Sequence, residues 1–216
     1  MRIMYDSTVP GNIPETGANM IGCYNDGSFE NVVEMIKRFP NMQLITIDVN
    51  GSDPACRVLD YEPGDVQSPA TAIAWVKASQ EKGNLYPTVY CDRTDYATLV
   101  HAFEMAGIVP GQHVYFWVAT LDGTWKQLVG LAGVVAVQYQ DTGTYDVSVV
   151  LDDGWVPAAV PPPPARHATI QIDGFPVALP TTASVPAVIS WYGDAGITRR
   201  LADIPMEVWK EAITWL

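Results

Sequence analysis

Eight short apolar runs, each the length of one strand, set the folding problem for this chain. They are RIMYD (2–6), MIGCYN (20–25), QLITIDV (43–49), RVLDYE (57–62), PTVYC (87–91), VYFWVA (114–119), VVAVQY (134–139) and DVSVVL (146–151). Helical stripes separate several of them. Phe29, Val32, Val33 and Ile36 repeat at helical spacing over 28–39, and Pro40 stops that segment. Ser68-Pro69 reads as an N-cap followed by proline at the first helical position; Ala72, Trp75 and Val76 then carry the apolar face, up to Gly83. A third helix starts near Thr94 or Asp95, with Tyr96, Leu99, Val100 and Phe103 on one side and Gly107 at its end. Each stripe is expected to pack on the core. Strands alternating with helices must run parallel, joined by crossovers, and eight of them suggest closure into a small barrel. Its second half is irregular. LDGTWKQLVGLAG leaves room for only a short helix, and QDTGT is too short for a crossover. Strands seven and eight should therefore form an antiparallel hairpin.

The barrel is expected to occupy residues 1–157. VPAAVPPPPARH is proline-rich, so 158–166 reads as an extended linker. The remainder, 167–216, reads as a small α+β annex. HATIQIDGFPVALP suggests a strand pair, and VPAVISWYGDAG and IPMEVWKEAITWL suggest helices. In the last, Met206, Trp209, Ile213 and Leu216 share a face, and the annex is expected to dock on the barrel or on another protein.

Charge narrows the partners. Twelve Lys and Arg stand against 24 Asp and Glu, a net charge of -12. Affinity for nucleic acid comes from cations that neutralise phosphates, so nucleic acid and anionic membrane are both disfavoured. A carboxylate-lined cleft for a neutral substrate fits this balance. Cys23, Cys56 and Cys91 read as buried free thiols, without a CxxC pair. The three histidines are scattered, so neither a metal nor another cofactor is expected. MRIMYDSTVP lacks the apolar segment of a signal peptide, and no run is long enough to span a bilayer. If the target lies outside a cell, the chain is expected to reach it by another route.

The stretch RVLDYEPGD carries the chemistry. Side chains alternate along a strand, so Asp60 and Glu62 share one face. In a parallel β/α barrel the site gathers at the C-terminal strand ends. Asp6 ends strand one there. Gln138 leaves strand seven and Asp146 enters strand eight at the same rim. Crowded carboxylates raise at least one pKa and leave a protonated acid beside ionised partners, which is the equipment for glycosidic bond cleavage. Glu62 is expected to be the acid and the more desolvated of the strand-four pair, with Asp60 ionised beside it. Tyr24, Tyr90, Trp117 and Gln138 are expected to line the groove as stacking faces and hydrogen-bond groups. Singly, each has a plainer role: Asp6 in a turn, Asp146 capping the hairpin, Trp117 in the core.

YDSTVPGNIP, LDYEPGD, YPTVYCD, VYFWVATLDG and VVAVQYQDTGTYDVSVVLD follow one another as do the motifs of glycoside hydrolase family 25 lysozymes and their actinobacterial relatives. The resemblance spans about residues 1–155. It implies an irregular β/α barrel, Glu62 as acid, and Asp6, Asp60 and Asp146 as supporting carboxylates, with Asp60 or Asp146 orienting a substrate N-acetyl group. Tyr61 stands where the family has a small apolar residue, and Leu121 where an aromatic is common. MRIMYDST, EPGD and YDVSVV look most like proteins encoded by phages of actinobacteria. By that resemblance the chain would cleave cell-wall peptidoglycan, carried on a virion as a minor tail or other structural component and joined to virion proteins through the annex. The rival reading is a virion structural or glycan-binding module with weak or no catalysis on the same barrel. A free endolysin is the third.

Overall fold

The computed structural model describes residues 2–66, 68–152 and 154–155, and the backbone of three strands at 168–172, 175–178 and 213–215. The chain divides into two compact units, Met1–Ala158 and Ala159–Leu216.

In the first unit, eight strands close a barrel in sequence order: β1 (Arg2–Asp6), β2 (Met20–Tyr24), β3 (Gln43–Asp48), β4 (Val58–Tyr61), β5 (Thr88–Asp92), β6 (Tyr115–Ala119), β7 (Val134–Asp141) and β8 (Asp146–Val150). Pairing is parallel from β1 through β7. β8 runs antiparallel to both β7 and β1, which closes the ring. The expected α/β barrel with its reversed last hairpin is therefore present. No helix among the described residues is long and apolar enough to cross a membrane.

Period-two alternation splits the core into layers. Met4, Met20, Ile45, Ile47, Val58, Tyr90, Trp117 and Val150 fill the interior. Their sequence neighbours face outward. Leu59, Tyr61, Val89, Cys91, Phe116 and Val118 pack beneath α2 (Pro69–Glu81) and α3 (Arg93–Met105), against Trp75, Val76, Leu99 and Phe103. The Ser68 hydroxyl caps α2 by accepting from Thr71 N. All three cysteines are buried and free.

The first helical segment departs from expectation. It breaks into a 3-10 turn (Gly27–Phe29) and a short α1 (Val32–Arg38). Phe29, Val33 and Ile36 face solvent, with Val33 60% exposed, and Met35 and Phe39 are the buried contacts. Val32 lies with Met35 and Phe39 on the buried side, while Val33 and Ile36 lie on the other. The Asn31 side chain fixes the choice: it accepts from Tyr24 N and donates to Ser7 O, so it orients the helix start.

Trp155 closes the lower end. It is fully buried among Tyr86, Tyr115 and Val150, and its indole donates to Thr88 Oγ1 at 2.7 Å. Trp155→Ala is expected to cost about 3–5 kcal/mol in urea unfolding; a cost below about 1 kcal/mol would show that the plug is dispensable.

In the second unit, β9 (Ala168–Ile172) pairs antiparallel with β10 (Phe175–Ala178), as the strand-pair reading expects. The expected last helix needs correction: β11 (Ile213–Trp215) is a strand, antiparallel to β9. β-Branched Ile213 and Thr214 with aromatic Trp215 favour extended backbone over a helix end. The expected linker at 158–166, the helix in VPAVISWYGDAG, and Met206, Trp209 and Leu216 lie outside the described residues.

Candidate active site

The cleft sits at the C-terminal mouth of the barrel, where the interior file of each strand reaches solvent. Along β1 the inward file is Met4 then Asp6, and along β4 it is Val58, Asp60 and, just past the strand, Glu62. The cavity, about 160 Å3, is lined by Asp6, Asp60, Glu62, Asp141 and Asp146. Tyr24, Tyr90, Trp117, Gln138, Ile47 and Leu121 complete its wall. All eight residues singled out from the sequence therefore meet on one cavity.

β-Pairing sets Asp6 directly opposite Asp146, and Asp146 opposite Asp141. Tyr24 donates its hydroxyl to Asp6 Oδ2 at 3.3 Å. Trp117 donates to Ser148 Oγ at 3.0 Å and meets Tyr90 edge-on, with ring centroids 4.9 Å apart. Gly22 makes room for this layer, because a Cβ there would lie 2.8 Å from the Asp6 Cβ. Gly22→Ala is expected to destabilise by about 1–3 kcal/mol in chemical denaturation, as overpacking does; an unchanged midpoint would mean that Asp6 moves aside freely.

Two expectations about this layer are corrected. Trp117 is only 1% exposed, so it forms the floor rather than an open stacking face, and Tyr90 is also buried. Asp60, not Glu62, is the more desolvated of the pair. Asp60 lies inside the strand at 6% exposure, whereas Glu62 follows the strand and is half-buried at the rim.

Electrostatics follow burial. Burial lifts the Asp6 carboxyl to about 8, with Asp146 adding to the rise and the Tyr24 hydrogen bond opposing it. Burial lifts Asp60 to about 8 as well, helped by Glu62 and Asp65. Asp146, half-enclosed, is raised to about 6 by burial and then by Asp141. Glu62 is raised by burial and by Asp92, against a hydrogen bond from Tyr90. The mouth thus holds protonated and ionisable carboxyls side by side.

Asp48 supplies the contrast. It is fully buried, yet its oxygens accept from Gly51 N, Ser52 N, Asp53 N and Trp75 Nε1. That carboxylate is saturated and clamps the loop after β3. In the cleft, Asp6 Oδ1, Asp60 Oδ1 and Gln138 Oε1 are buried without a hydrogen-bond partner. Unmet buried polar atoms are costly, and three on one cavity ask for a ligand rich in hydrogen-bonding groups. Among the described residues no Lys, Arg or His lines the cavity, which disfavours a phosphorylated or carboxylated ligand there.

Sequence reading missed Asp141 and the wall formed by Leu121 and Ile47. β7 runs on to Asp141 past a bulge between Gln138 and Gln140, which carries that aspartate to the rim. Asp141 and Asp146, which flank the short turn TGTY, were the available signal. Leu121 has a left-handed backbone (φ 53), unusual outside glycine, and its N–H and that of Thr120 both donate to Gln138 O. No protein-family model, curated protein or solved structure matches this chain.

Proposed function

We propose that this chain is a lysozyme-type glycoside hydrolase acting on the glycan of bacterial cell-wall peptidoglycan. One observation carries the reading: five carboxyls meet on a cavity with no basic side chain among the described residues, and its floor holds three unpaired buried polar atoms. A neutral polyhydroxyl substrate, whose hydroxyls both donate and accept, supplies the partners these groups lack. Peptidoglycan glycan suits the charge, since its lactyl carboxyls are amidated by the stem peptides.

Glu62 is the proton donor. It is raised, held by Tyr90, and close enough to the rim to reach a glycosidic oxygen. It protonates the leaving oxygen as the bond to the anomeric carbon breaks. The substrate's acetamido oxygen attacks that carbon, and a carboxyl of Asp60 or Asp146 holds the acetamido N–H. The Glu62 carboxylate then takes a proton from water, which opens the cyclic intermediate and restores the acid. Asp6, held by Tyr24, stands opposite Asp146, whose charge adds to the rise of the Asp6 carboxyl.

The resemblance to family 25 lysozymes and phage-encoded relatives supports a virion setting, with the second unit joining other virion proteins. The net charge of -12 also weighs against free diffusion to an anionic wall. The test is sugar analysis of borohydride-reduced digests of actinobacterial peptidoglycan. New muramitol is expected; stem-peptide fragments without new reducing sugars would refute a glycosidase. A glycan-binding module without catalysis uses the same unpaired polar atoms and differs only in leaving the chains intact.

A further inference from the structure

We propose that the turn after β4 completes a calcium-binding site at the edge of the cleft, formed by the carboxylates of Asp60, Glu62 and Asp65. Glu62-Pro63-Gly64-Asp65 is a tight turn in which Asp65 N donates to Glu62 O at 3.1 Å. Proline at the second position and Gly64 at φ 105 in the third are the type II pattern. Val66, buried in the core beneath α2, pins the far side of the turn. The turn folds Asp65 back toward the strand end. One carboxylate oxygen from each of Asp60, Glu62 and Asp65 then lies within 4.8 Å of the others.

A cluster of exposed acids is solvated and screened by water and salt. This one reaches into the protein. Asp60 is 6% exposed and its Oδ1 has no hydrogen-bond partner. Among the described residues, the cavity that Asp60 and Glu62 line offers no basic side chain. A hard cation answers both the charge and the unmet oxygen. Oxygen-only donors select calcium or magnesium over softer metals. Calcium takes six to eight oxygens in a flexible shell, which suits carboxylates on a turn with an open rim, whereas magnesium demands a near-ideal octahedron. Three carboxylates supply three to six oxygens, and the open rim admits water for the rest.

Cation binding does not depend on the hydrolase reading. Its consequence for turnover does: an ion on Glu62 occupies the carboxyl that donates the proton, so calcium should inhibit. The experiment uses the full chain and terbium as a calcium probe, with emission sensitised by Tyr90 and Trp117, which line the same cavity. Sensitised emission that calcium displaces is expected. Asp65→Asn, checked for folding by circular dichroism in calcium-free buffer, should bind terbium about tenfold more weakly or worse and lose calcium inhibition. No emission, or equal affinity in wild type and Asp65→Asn, would overturn the site; displacement by magnesium as readily as by calcium would overturn its assignment to calcium. Terbium binding without release of sugar ends from walls would sink the hydrolase reading and leave the site standing; release without binding would do the reverse.

Discussion

Glu62→Gln should lower the rate of glycan hydrolysis by about 10²–10⁴-fold while leaving glycan affinity within about threefold. Glutamine keeps the length of the side chain and can still meet the Tyr90 hydroxyl, but it has no proton to transfer. Glu62 stands at the rim, half-buried, and the deeper carboxyls do not share that access. The loss should therefore fall on kcat, with KM nearly unchanged. Steady-state rates on solubilised wall fragments, paired with calorimetric binding of N-acetylglucosamine oligomers, separate the two. A matched loss of binding would mean that Glu62 only holds substrate.

Asp60→Asn should stabilise the folded chain at pH 8 and leave it nearly unchanged at pH 4. The folded Asp60 carboxyl is raised to about 8, first by burial and then by Glu62 and Asp65, while an unfolded aspartate titrates near 3.9. Between these values the folded state binds the proton and the unfolded state does not. Stability is therefore full below about pH 4 and falls as pH rises towards 8. For Asp60 alone the loss from pH 5 to pH 8 is on the order of 3 kcal/mol. Asp6, raised to about 8 by burial and Asp146, adds in the same direction. Asparagine cannot ionise, so the variant's stability should run flatter against pH in urea titrations. A wild-type chain that gains stability from pH 5 to pH 8 would contradict these carboxyl environments. The variant that gains stability should lose activity, because the cleft holds its acids at an energetic cost.

The barrel was legible because each strand announces itself by apolar alternation and each connection by its length. QDTGT could not hold a crossover, and β8 is antiparallel. The same alternation brought Asp6, Asp60, Glu62 and Asp146 to one mouth. What escaped depended on side-chain hydrogen bonds and local backbone. α1 carries apolar residues on more than one side, and the Asn31 contacts, not hydropathy, decide that Met35 goes inward. The bulge that carries Asp141 to the rim leaves no mark in polarity. The relative burial of Asp60 and Glu62 turns on where β4 ends, at Tyr61, and strand ends are the least legible feature of a sequence. At 213–215 a helical spacing of apolar residues coexists with strand-forming residue types, and β9 provides the partner that decides the outcome.

The most direct test of the central claim is the release of new reducing ends from purified actinobacterial sacculi at pH 5.5, with wild type and Glu62→Gln run in parallel. Wild type should release them and the variant should fall to about 1% of that rate or less. Equal release by both would remove Glu62 from the chemistry. No release by a wild-type protein that still binds the glycan would make the barrel a binding module.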